Sequence, residues 1–286
     1  MKLTNILLAA AASQGSAAAA VARPPPPPPA GPGLSSRIPT SYESAVLGRR
    51  VLALTPLATI STVFPSSSHS DSSDAPEAQE RRPAGLDGLP IGLTDYIADC
   101  DPSGSGNPTV LAISIATSFR NARAGSNVSL SVQWVPPYPP SKRIQNVPSR
   151  PEGERVLLSS QFPDEDTPDS YPFSAANLPR FSLIGYLEPI EPAGPASAAQ
   201  IAECFVGAHP DARYWLPGNR IHESTWARLV VQQVYWVGGF GDRAYIGWIP
   251  AEEWAAVTEE QWKAVRLPGE RKGWKEWSVT EEARDL

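Results

Sequence analysis

The chain has 286 residues, with 24 Lys and Arg against 30 Asp and Glu, for a formal net charge of −6 at pH 7. No block of Lys or Arg interrupts this acidic balance. That argues against a nucleic-acid or anionic-membrane partner, since both are held through clustered basic side chains. After the N-terminal leader no stretch approaches roughly 18 consecutive apolar residues, so no membrane span is expected.

The leader has the layout of a secretory signal. Lys2 precedes a short apolar run at residues 3–12, and Ala20-Val21-Ala22 matches an A-x-A cleavage site before Arg23. Residues 1–22 are therefore expected to be removed in the secretory pathway, with an extracellular, vacuolar or lysosomal destination. Residues 23–40 open on six consecutive prolines and predict an extended tether.

A helix follows at residues 41–54, where Ala45, Val46, Val51 and Leu52 recur on one side, and Pro56 ends it. Residues 57–64 read as a first strand. Residues 65–83 are rich in Ser, Asp and Glu and predict a disordered insertion, with His69 a solvated residue inside it. A second strand at 89–98 leads into the dense turn signal DPSGSGNP at 101–108, and a third strand is expected at 109–116. Residues 127–134 alternate Val128, Leu130, Val132 and Trp134 against Asn127, Ser129, Ser131 and Gln133, the pattern of a half-buried strand.

Residues 136–179 are proline-rich and acidic, a second disordered insertion with a short strand at 155–162. A strand at 180–190 carries Gly185, the mark of a bulge or barrel corner. A helix is expected at 196–207, capped by Ser197 and closed by Gly207. Residues 226–237 are free of Gly and Pro and rich in β-branched and aromatic side chains. At about 3.3 Å per residue they span about 40 Å, the reach of a strand that wraps a barrel. Gly238, Gly239 and Gly241 permit a tight reversal around Phe240, and residues 244–249 return as the partner strand. Short helices at 251–257 and 259–265 precede a polar tail at 268–286. Antiparallel strands with few helices and no strict βαβ units make the fold class mainly β (α+β), a barrel rather than a doubly wound sheet.

Cys100 and Cys204 are the only cysteines. Two readings fit them. In a secreted protein they can pair, while Cys204, between Ile201 and Phe205 in an apolar helical pattern, also reads as a buried thiol. Neither CxxC nor Cys/His spacing is present, so no metal site is expected. Asn127-Val128-Ser129 is an N-glycosylation sequon, whereas Asn107-Pro108-Thr109 is excluded by its proline.

Several pieces stand in a telling order: Leu57-Ala58-Thr59-Ile60-Ser61-Thr62, Gly88-Leu89-Pro90, Gly104-Ser105-Gly106, Phe181-Ser182-Leu183-Ile184-Gly185, His209-Pro210, and His222 followed by the hairpin from Trp236 to Ile249. Together they resemble the CREG-like secreted glycoproteins, a branch of the FMN-binding split β-barrels that include pyridoxamine 5′-phosphate oxidase. The resemblance spans about residues 42–257, and the two insertions and the polyproline leader depart from it. It implies an antiparallel six-stranded split β-barrel with a few peripheral helices, assembled as a homodimer. In catalytic relatives flavin lies in a groove between subunits, while the animal-type CREG proteins look like barrels with that site occluded. The implied function is a secreted, dimeric, non-catalytic or weakly ligand-binding module that takes a small molecule. The alternatives are an FMN-dependent oxidoreductase and a haem-binding or haem-utilisation barrel.

Candidate cofactor residues follow from that resemblance. Ser61, Thr117 and Ser118 occupy places where flavin-binding relatives carry strand-end hydroxyls. Asn121 follows, and Arg120 with Arg123 offers guanidinium forks suited to a phosphate. The other reading is ordinary barrel hydroxyls and solvated arginines. His222 sits where related haem-utilisation barrels place a histidine before the same hairpin, which points to a metal-ligating or acid/base imidazole. The plainer reading is a packing histidine at a strand entrance. His209 reads as a helix-terminus residue that complements the dipole. Trp215, Trp226, Trp236, Trp248, Trp254 and Trp262 are expected to fill the core and a dimer interface. Glu252-Glu253 and Glu259-Glu260 suit helix starts, and the absence of a G-x-S-x-G elbow argues against a serine hydrolase.

Overall fold

The computed structural model of the chain describes residues 37–66, 83–138, 140, 174–241 and 243–274. The leader at 1–22, most of both expected insertions, the strand expected at 155–162 and the end of the tail lie outside the described residues.

Helix α1 (Ser41–Leu54) starts on a capping box: Thr40 accepts from the Glu43 backbone N–H, and the Glu43 side chain accepts from the Thr40 N–H. Its buried side lies against strands that close a barrel: β1 (Leu57–Val63), β2 (Pro90–Ala98), β3 (Thr109–Ile113), β4 (Val128–Gln133), β5 (Arg180–Pro189) and β6 (Ser224–Val237). The order is β3-β2-β1-β4-β5-β6, and a β3–β6 pairing completes the ring. All pairings are antiparallel. A seventh strand, β7 (Ile246–Ile249), adds to β6 through the expected hairpin. β2 touches β3 at only two residue pairs, Ile97–Val110 and Ala98–Thr109, so the ring is thinly closed there. β6 pairs in turn with β3, β5 and β7, the work its length announced.

Strand alternation builds the interior. Ile60, Ile97, Val110, Leu130, Leu183, Leu229 and Val234 point inward and are buried. Trp236 and Trp254 are the largest fully buried side chains, the second delivered by α4 (Ala251–Ala256), which α5 (Glu259–Ala264) follows. At the β5 bulge, between Ile184 and Gly185, a Cβ on Gly185 would stand 1.9 Å from the Val230 carbonyl oxygen, so only glycine permits that strand spacing. In the β6–β7 reversal only Gly239 among the three glycines takes a positive φ, 144°.

Arg49 on α1 is buried and donates to the carbonyls of Gly104 (2.9 Å), Trp254 (3.3 Å) and Val257 (3.4 Å). It also faces Asp99 at 3.5 Å. Burial lowers the Arg49 pKa and raises that of Asp99, in each case against the attraction of the other. This cation ties α1 to α4 and to the turn after β2. Asp101, in that turn, accepts from Ser103 and Ser105 and lies 3.5 Å from Arg228. Burial alone would raise its carboxyl pKa. Those hydrogen bonds and the Arg228 charge override burial and hold it below the usual carboxylate range.

Three sequence expectations are corrected on the far side of the barrel. The third strand ends at Ile113, and residues Thr117–Arg123 form a short helix, α2. The helix expected at 196–207 is α3 (Pro195–Ala208), with Gly194 as N-cap and Pro195 in its first turn. Proline pre-sets the φ of a first helical turn, so the start falls before Ser197, and Gly207 lies inside the helix. Cys204 is not a buried thiol: it is exposed and disulfide-bonded to Cys100, with Cα atoms 5.9 Å apart. The apolar stripe of α3 is Ile201 and Phe205, and Cys204 flanks it where it reaches the end of β2. Ile201 and Phe205 pack with Ala98, Leu111, Ala212 and Trp226 in a second cluster outside the ring. His209 belongs here too. As expected it stands at a helix terminus, the C-cap of α3, and there it is buried, stacks on Tyr96 at 4.4 Å, and its Nε2 meets the Ile97 carbonyl at 2.8 Å.

Candidate functional site

The cofactor candidates gather at one end of the barrel without facing a common space. Ser118 and Asn121 are on the buried side of α2, and the Asn121 amide donates to Thr62 Oγ1 at 3.1 Å. Thr62 is itself buried, so this bond closes the barrel end. Ser61, its chain neighbour, projects from the opposite side of β1 and pairs across to Gly92 and Ser129. Thr117 is half-buried on α2, not at a strand end as expected, and Arg120 is half-buried on the same helix. Arg123 is spent on the Ser114 carbonyl. His222 is exposed in the loop before β6. Its backbone N–H and carbonyl are held by the Asn219 carboxamide, at 2.9 and 2.7 Å. Ser114 donates to the Glu223 carbonyl at 2.9 Å, which joins that loop to the α2 end. A flavin phosphate needs several convergent donors. Here two of the proposed donors are inside the protein and a third is on the other side of a strand, so these residues do not fit the group. Among the described residues no group of three or more His, Cys, Asp or Glu side chains could hold a metal ion.

The concave surface lies elsewhere. Two shallow depressions of about 370 Å³ each sit side by side on the outer face of β1, β4 and β5, and both are lined by Thr59, Ser131 and Gln133. None of Ser61, Thr117, Ser118, Arg120, Asn121 or His222 lines either one. The pairing registers explain the surface. Thr94, Thr59, Ser131, Ser182, Tyr235 and Trp248 are successive cross-strand partners from β2 to β7, so they form one outward row. Ser131 and Ser182 share a hydrogen bond of 2.8 Å. Tyr235 and Trp248 meet edge to face at 5.1 Å and remain 39% and 55% exposed. At the other end Leu57 and Val135 are 45% and 63% exposed. Among the described residues Arg180 is the one charged side chain lining these depressions; its Nη1 caps the carbonyls of Ala175, Ala176 and Leu178. The site is a flat floor of small hydroxyls between two exposed apolar margins.

A closed antiparallel barrel of six strands with one strand appended and few helices defines the split-barrel class. The chain belongs to the CREG β-barrel family, whose sequence model matches residues 39–256. No curated protein matches the chain. Among solved structures it is similar to a haem-binding protein from Mycobacterium smegmatis, with 20% identity over 77% of this chain and 62% of that one and a TM-score of 0.44. The chain thus spans less than two thirds of that protein. It is also similar to ChuZ of Campylobacter jejuni, at 11% identity over 76% of this chain and 66% of that one, TM-score 0.41. A FAD-binding protein from Mesorhizobium loti aligns at 12% identity over 65% of this chain and 87% of that one, TM-score 0.34.

Proposed function

We propose that this protein is a secreted, dimeric CREG-type module, non-catalytic or weakly ligand-binding, that does not hold FMN as an oxidoreductase would. The observation that carries the reading is the fate of the cofactor candidates: Ser118 is buried, Asn121 is bonded to Thr62, and Arg123 is bonded to the Ser114 carbonyl. Side chains committed to closing a barrel end cannot also reorganise around a phosphate without leaving buried polar groups unpaired. The outer face of β1, β4 and β5 is then the working surface. Its exposed margins at Leu57, Val135, Tyr235 and Trp248 give a second copy apolar area to cover, and the hydroxyl floor leaves room for a small polar ligand at the boundary. The Cys100–Cys204 bond supports a secretory route, because such bonds persist in oxidising compartments.

The test is spectroscopic. The protein purified from a secretory host is expected to be colourless and to leave added FMN fluorescence and absorption unchanged. A yellow protein with flavin at one per chain overturns the reading in favour of the oxidoreductase. A Soret band that vanishes in His222→Ala overturns it in favour of haem.

A further inference from the structure

The Cys100–Cys204 bond joins two cysteines in unequal surroundings. Cys204 is exposed near the C-terminus of α3, while Cys100, just past β2, is only 9% exposed and packs in the second cluster with Ala98, Leu111 and Trp226. An attacking thiolate must reach the sulfur it bonds to, so access decides which end of a disulfide is opened. The bond is also one of several fastenings on α3. Ahead of the helix the Ile190 N–H donates to the Trp226 carbonyl at 2.8 Å. Behind it His209 stacks on Tyr96 and meets the Ile97 carbonyl at 2.8 Å. Between these ends Ile201 and Phe205 are buried. Both connections of α3 lie within the described residues. Opening the disulfide therefore loosens one end of the cover and leaves the strands paired.

We propose that Cys204 is a thiol-exchange site for a small cationic thiol, which opens the bond to Cys100 while the barrel stays folded. The incoming thiolate attacks Cys204 Sγ and forms a new S–S bond there. The bond to Cys100 breaks, and Cys100 Sγ leaves with the electron pair and takes a proton from water. The products are a mixed disulfide on Cys204 and a thiol on Cys100, with no net oxidation or reduction. Return attack by Cys100 expels the small thiol and restores the original bond. Charge sets the ligand class. Glu203, beside Cys204 and exposed, is the only charged residue of α3, and the C-terminal carbonyls of the helix add partial negative charge. Asp99 and Asp101 flank Cys100, and the cations near them, Arg49 and Arg228, are each 3.5 Å from one of these carboxylates. An ammonium group on the thiol is attracted to this surface, and an acidic group is repelled. The inference needs neither a cofactor nor a dimer, so it stands apart from the function proposed above.

In the experiment the full chain from a secretory host meets limiting cysteamine, β-mercaptoethanol or mercaptoethanesulfonate at equal thiolate concentration and low salt. Iodoacetamide stops the exchange, and peptide masses locate the products. The small thiol should be found on Cys204 and the alkyl group on Cys100. Opening should be roughly threefold or more faster with cysteamine than with the sulfonate, a gap that closes in high salt and narrows in Glu203→Gln. Amide hydrogen exchange should quicken in α3 and not in the barrel strands. Single variants check access independently: cystamine should capture Cys204 in Cys100→Ser and spare Cys100 in Cys204→Ser. Adducts on Cys100, equal rates for the three thiols, or opening only in denaturant that unfolds the barrel would overturn the proposal.

Discussion

Two outer faces of the same barrel are treated in opposite ways. Over β2, β3 and β6 the outward side chains include Leu111 and Trp226, and α3 covers them with Ile201 and Phe205. The Cys100–Cys204 bond fastens that cover across 104 residues of chain. Over β1, β4 and β5 the outward side chains include Thr59, Ser129, Ser131 and Ser182, and among the described residues no helix lies across them. A sheet face that keeps its own cover is made apolar and packs to interior density. A face left open is made of small hydroxyls that water or a partner can satisfy. The difference is the reason the proposed function is placed on the second face, since the first is already committed to stability.

That contrast can be broken from either side. Phe205→Ala should cause the largest change, a loss of about 3–5 kcal/mol in urea unfolding, because it empties the centre of the covered side. Replacing both cysteines by serine should follow with a loss of about 2–4 kcal/mol, since the bond restricts a long loop in the unfolded chain. Asp101→Asn tests the turn that Arg228 and the serines hold. The Asp101 carboxyl is held below its usual range, so its contribution to stability is present above the unfolded pKa of about 3.9 and is lost as pH falls through the folded value. Wild type should therefore lose more unfolding free energy than Asp101→Asn between pH 6 and pH 3. The smallest effect belongs to the open face: Thr59→Ala or Ser182→Ala should change monomer stability by no more than about 0.5 kcal/mol. A cost there equal to that of Phe205→Ala would erase the distinction between the faces.

The ring itself was legible because its strands announce themselves locally. The alternation of Val128, Leu130 and Val132, the uninterrupted run of β6 and the bulge at Gly185 are all one-strand signals. Helix α2 was not legible. It is a single short element, and two of its three buried residues, Ser118 and Asn121, are polar, which erases the apolar period a helix is recognised by. The start of α3 was misplaced because serine is a common cap, yet the Gly194-Pro195 pair begins the turn earlier. The disulfide depends on two distant segments meeting, and residue spacing carries no record of that. The hydroxyl row was half visible. Thr59 and Ser61, or Ser129 and Ser131, are alternating small polar residues on single strands. Their union into one floor requires knowing that β1, β4 and β5 are neighbours, which only topology supplies. The candidates drawn from family resemblance, Ser61 through Asn121 and His222, mark one end of the barrel, while the concavities lie on its side.

The proposal that matters most is that the protein dimerises through the face of β1, β4 and β5. Sedimentation velocity of the protein with and without Ser131→Arg tests it directly. The expected pair of results is a concentration-dependent dimer that a single arginine on the hydroxyl floor converts to a folded monomer. A dimer indifferent to that arginine, or a chain monomeric at every concentration in both forms, would contradict it.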